Sequence, residues 1–102
     1  MSKIDLSSLK IINNEEAKQY EADLGDAKAK IEYIPTKKMI VFTHTEVPIG
    51  YEGQGIANKM IRHVLDEARA HEMQVHPMCP FVKLFIRRHP EYMDIVPERL
   101  RP

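Results

Sequence analysis

Between residues 27 and 34 the chain alternates regularly: Ala27, Ala29, Ile31 and Tyr33 are apolar, and Lys28, Lys30 and Glu32 lie between them. Period two places the two sets on opposite faces, so the segment predicts a half-buried β-strand. Residues 9–24 carry short apolar stretches broken by the polar run 13–16, which predicts a hairpin with Asn13 and Asn14 at its turn. Gly25 and Asp26 form the next turn, and PTKK at 35–38 another. Residues 39–47, MIVFTHTEV, have high β propensity. Strict alternation sends Ile40, Phe42, His44 and Glu46 to one face and Met39, Val41, Thr43, Thr45 and Val47 to the other.

The period then changes. Across residues 54–72, Ile56, Ala57, Met60, Ile61, Val64, Leu65 and Ala68 recur at three and four, opposite Lys59, Arg62, His63, Asp66 and Glu67. That spacing predicts an amphipathic helix. A short strand at 73–78 follows, and Pro80 suits the first position of a second helix, capped by Cys79 and closed by Pro90. Phe81, Leu84 and Phe85 are its expected apolar stripe, opposite Lys83 and Arg87. The order is antiparallel strands followed by a β-α-β-α unit with parallel strands, an α+β fold.

Composition narrows the setting. A chain of 102 residues fits one domain over 1–102, with 1–8 and 96–102 expected to be loose. Lys and Arg number 15, as do Asp and Glu, which argues against a general nucleic-acid or membrane-surface binder. One cysteine cannot form an internal disulfide, and neither a signal peptide nor a membrane-length apolar run is visible. A soluble, cytoplasmic protein is expected, as a monomer or weak homodimer.

Candidate chemistry begins at residues 47–58, VPIGYEGQGIAN, where three of the four glycines fall within six residues just before the long helix. Amides at a helix start and the positive end of its dipole form an anion cradle, and glycines let a phosphate approach them. The alternative is a tight turn with nothing bound. Neither the P-loop pattern nor the dinucleotide fingerprint fits the run. Cys79 at the second helix start is either a small buried hydrophobe or a sulfur whose thiolate the helix end favours. Glu46 is a candidate general base beside His44, and each has a structural alternative: a carboxylate on backbone donors, or a hydrogen-bonded core histidine. Lys83 and Arg87 lie one helical turn apart, suited to phosphate attraction or to a solvated basic face. His71, His76 and Cys79 match no zinc spacing, so no metal is expected.

Three linked pieces, TEVP ending a strand, GQGIA opening a helix and MCPFVK opening another, resemble the small acetyl-CoA-binding GNAT-like proteins of the GNAT acetyltransferase superfamily. The resemblance implies a minimal GNAT-like fold whose parallel strands splay around the pantetheine arm of acetyl-CoA. Val47 and Pro48 would run along that arm. The superfamily's phosphate turn falls on residues 52–57, with Glu52 where Arg or Gln is usual, so the backbone amides of Gly53, Gln54, Gly55, Ile56, Ala57 and Asn58 would carry the diphosphate. It also implies that Cys79 faces the acyl end, as nucleophile or acyl acceptor. The chain ends soon after Tyr92, without the late strands and tyrosine of larger members. The implied function is acetyl transfer to an amine of unknown identity, or through Cys79; the alternative is a non-catalytic acetyl-CoA sensor or carrier.

Overall fold

The computed structural model describes residues 3–102; the first two residues of the segment 1–8 lie outside it. Five strands, β1 (Ile11–Asn14), β2 (Gln19–Asp23), β3 (Lys28–Pro35), β4 (Met39–Glu46) and β5 (Gln74–Pro77), form one sheet in sequence order. β1 to β4 pair antiparallel, and β5 pairs parallel to β4. Helix α1 (Ile56–Ala70) supplies the crossover between them, and α2 (Pro80–Arg88) follows β5. The class is α+β, as the change of period implies.

The apolar sides of the strands, Tyr20, Ala22, Ala29, Ile31, Tyr33, Phe42 and Val75, join one core with the buried side of α1: Ile56, Met60, Ile61, Val64, Leu65 and Ala68. Burying each large side chain contributes about 1.5–3 kcal/mol, so this face holds the helix on the sheet. Helix α2 lies beside α1, where Val82, Phe85 and Ile86 are its buried stripe. Phe81 and Leu84, expected inside, are 58% and 41% exposed. The reason is that α2 packs against α1 and the sheet edge with the 82/85/86 side, one step round from the expected stripe.

Two local expectations are corrected. Asn13 and Asn14 finish β1, and the turn occupies residues 15–18. Lys18 takes the positive φ of 55°, while Asn14 Oδ1 accepts from the Ala17 amide at 3.2 Å. The faces of β4 also differ from strict alternation. Glu32 pairs with His44 while its neighbour Tyr33 pairs with Phe42, leaving Thr43 as the extra residue of a β-bulge. The bulge shifts the phase by one. Thr45 therefore joins Phe42 on the helix side, and His44 and Glu46 are exposed.

The β4–β5 ladder ends at Phe42–Pro77, while β4 runs on to Glu46. The Cys79 amide donates to the Phe42 carbonyl at 2.9 Å, and the chain then departs into α2. The parallel strands thus splay. The segments expected to be loose carry packing: Val96 is fully buried, Leu6 and Leu100 pack on the core, and Arg101 Nε donates to the Met93 and Val96 carbonyls.

On the opposite face, buried Glu21 accepts from Asn14 Nδ2 and Gln19 Nε2 and sits 3.4 Å from Lys28 Nζ. Those partners, Gln19 foremost, hold its carboxyl below the ordinary 4.5. A depressed carboxyl stabilises the fold above its ordinary value and ceases to do so as pH falls through the folded value. Thermal melts from pH 7 to pH 3 should therefore lose stability below about pH 4.5, less steeply in Glu21→Gln. Equal slopes would show that Glu21 does not couple folding to protons.

Candidate functional site

Helix α1 opens without a side-chain cap. Its N-cap is Gly55, left-handed at φ 86°, where Ser, Thr, Asp or Asn would normally accept from the first-turn amides. A polar cap is worth about 1 kcal/mol, and this helix forgoes it. The amides of Ile56, Ala57 and Asn58 consequently have no intrahelical acceptor, and no acidic side chain occupies the first turn.

Gly53, at φ 81°, has nothing within 4 Å of where a side chain would begin, so the space above the turn is open. A Cβ at Gly55 would meet Leu6 Cδ1 at 3.2 Å. Tyr51 fixes the turn from behind, buried, with its hydroxyl donating to Asp26 Oδ1 at 2.6 Å.

A cleft of about 420 Å³ opens here. One wall is Val47 and the turn from Tyr51 to Asn58, excepting Gln54; the other is Phe81, Leu84 and Arg88 of α2. Arg88 and the helix start give it a positive character, which Glu52 at the rim partly opposes. Thr45 lines the cleft and is itself buried. Its Oγ1 is 3.3 Å from Sγ of Cys79, which is 1% exposed.

Of the residues singled out in the sequence, Val47, Gly53, Gly55, Ile56, Ala57 and Asn58 converge on this cleft, with Cys79 joined to it through Thr45. Gln54 instead uses its side-chain oxygen to accept from the Ile4 amide at 2.7 Å, and Pro48 accepts from the Tyr51 amide. Lys83 and Arg87 line a different groove. Glu46 and His44 pair with each other at 3.4 Å, both about half exposed, on the strand face away from Thr45.

Sequence reading missed Thr45, Tyr51 and Arg88. Only the spacing of Val82 and Ile86 about Phe85 hinted at which side of α2 faces the core, and hence that Arg88 shares the cleft side with Phe81 and Leu84. The last tyrosine, Tyr92, donates to Asp66 Oδ1 at 2.6 Å and accepts from Arg62, and burial together with Asp66 raises its pKa. It is held as a structural brace.

The larger groove, about 720 Å³ between Leu6, Leu9, Arg62 and Phe85, shares only Gly55 and Asn58 of its lining with the cleft. The smaller cleft has the stronger chemistry. The uncapped amides, Arg88 and the open space at Gly53 fit a diphosphate, and the gap between β4 and β5 suits an extended arm.

Comparison with known proteins bears on the family and the fold. A model of the GCN5-related N-acetyl-transferase family matches residues 19–95. Protein NATD1 of Bos taurus is 33% identical over 68 residues, 65% of this chain and 57% of that protein, so the chain spans little more than half of this relative's length. Protein NATD1 of Xenopus tropicalis is 26% identical over 102 residues, 94% of this chain and 89% of the relative. The NMR structure of a GCN5-like protein from Staphylococcus aureus superposes with a TM-score of 0.68, at 26% identity over 89% of this chain and 90% of that one.

Proposed function

The chain belongs to the GCN5-related N-acetyltransferase family, and from that premise we propose that it binds acetyl-CoA in the α1 cleft and takes up the acetyl group on Cys79. The observation that carries this reading is the continuity of the cleft from the uncapped amides of residues 56–58 to Thr45, whose hydroxyl touches the cysteine sulfur. Bound there, the coenzyme supplies an activated thioester carbonyl.

The protein's own groups divide the work. Amides at the start of α1 and the Arg88 guanidinium hold anionic oxygen. Val47 offers main-chain groups beyond the last β4–β5 rung. Thr45 Oγ1 orients Sγ of Cys79. In the exchange a carbon–sulfur bond forms at Cys79, the coenzyme's carbon–sulfur bond breaks, and the thiol proton leaves on the coenzyme sulfur. One thioester replaces another, and an amine can then take the acetyl group. A reduced thiol is required, so we place the protein in the cytoplasm.

A specific observation favours the second reading, an acetyl-CoA carrier or sensor without turnover. Cys79 is nearly closed off from solvent, and Glu46 and His44 lie on the other strand face. Peptide mass spectrometry after incubation with acetyl-CoA separates the two. Transfer predicts one acetyl adduct at Cys79, discharged by added amine and missing in Cys79→Ser. Bound coenzyme without an adduct leaves the carrier, and calorimetry with no heat of binding refutes both.

A further inference from the structure

Acids and bases balance over the whole chain, but not at one corner of it. A groove of about 390 Å³ runs between the outer side of α2, the end of β5 and the last residues, and Lys83, Arg87, Arg99 and Arg101 line it. No Asp or Glu does. Lys83, Arg87 and Arg99 are exposed and make no ion pair among the described residues. Arg101 fixes the wall through its two carbonyl contacts.

A solvated helix face is the plain alternative, and cations near a helix C-terminus do complement its dipole. That accounts for Arg87. It does not account for Lys83, one turn before Arg87 in a like-charge pair that disfavours the helix, nor for Arg99 and Arg101, which arrive from a separate segment. Convergence of like charge from two segments is relieved by a bound anion.

The rest of the lining selects among anions. Met78 and Leu100 give the floor apolar surface, and Met78 is 53% exposed. Among the described residues its lining holds no Phe, Tyr or Trp and a single imidazole, His76, whereas single-stranded nucleic acids are held by successive stacking platforms. We propose that this groove binds a short acidic polypeptide segment, its carboxylates on Lys83, Arg87 and Arg99 and an apolar side chain on Met78 and Leu100. Cys79, whose sulfur meets Thr45 of the other cleft, does not line this groove, so the binding stands independently of the acyl-transfer reading.

The test needs no coenzyme. Fluorescence anisotropy with a labelled peptide of glutamate and leucine should show saturable binding that weakens as salt is raised. The double variant Arg87→Glu/Arg99→Glu changes exposed side chains only, and circular dichroism checks its fold. It should bind about tenfold more weakly or worse. The proposal is overturned by absent or variant-independent binding, by a glutamine-for-glutamate peptide bound equally well, or by oligothymidylate of equal charge bound as tightly. Displacement of the peptide by acetyl-CoA would assign these cations to the coenzyme and also overturn it. An absent Cys79 adduct would strike the acyl-transfer reading and leave this assay unaffected.

Discussion

Ala57→Glu is expected to weaken acetyl-CoA binding by about two orders of magnitude while the protein stays folded. Ala57 is half-buried in the first turn of α1 and lines the cleft. A carboxylate there faces the region where the diphosphate would sit. Two unit charges about 5 Å apart at an effective dielectric near 20 repel by about 3 kcal/mol, enough for about a hundredfold. The helix itself does not object. A carboxylate in the first turn gains about 0.3–1 kcal/mol from the dipole, which offsets the small loss of Ala propensity. Titration calorimetry alongside a thermal melt reads both quantities. Binding within about threefold of the parent, with an unchanged melt, would remove the anion from the start of α1.

Phe42→Ala is the second large effect. Phe42 is fully buried, sits on the last paired rung of β4 and β5, and its carbonyl receives the Cys79 amide. Truncating a buried Phe costs about 3–5 kcal/mol, against a total of about 5–15 kcal/mol for a domain. Urea unfolding should show a midpoint lowered by a large fraction with little change in slope. A loss below about 1 kcal/mol would mean that the helices do not pack tightly on this face.

The parts of the fold legible in the sequence are those set by local rules. Alternation over Ala29, Ile31 and Tyr33, the three-four spacing of α1, and Pro80 after a capping Cys79 each state their conformation within a few residues. The glycines before α1 are legible for the same reason, since Gly53 and Gly55 both adopt positive φ. The bulge at Thr43 is not, because a period-two reading carries no term for an extra residue that only the partner strand reveals. Strict alternation groups Glu46 with Phe42 and turns Thr45 away, and the pairing with β3 reverses both. Lys83 and Arg87 draw attention as phosphate ligands ahead of Arg88, because the orientation of α2 depends on where α1 lies. Likewise Lys18, not an asparagine, absorbs the left-handed turn residue, a choice made by the pairing of β1 with β2.

Thr43 also separates β4 into two halves of opposite parity. Excising that one residue would restore regular pairing and still leave Thr45 opposite Ile31, its hydroxyl turned toward the sulfur, because both halves keep their own phase. Excising Thr45 would also yield an unbroken ladder, but one with His44 opposite Ile31 and an imidazole directed inward. The strand thus tolerates a loss of length here, and the point at which the residue is lost decides whether a neutral hydroxyl or a titratable ring greets the thiol.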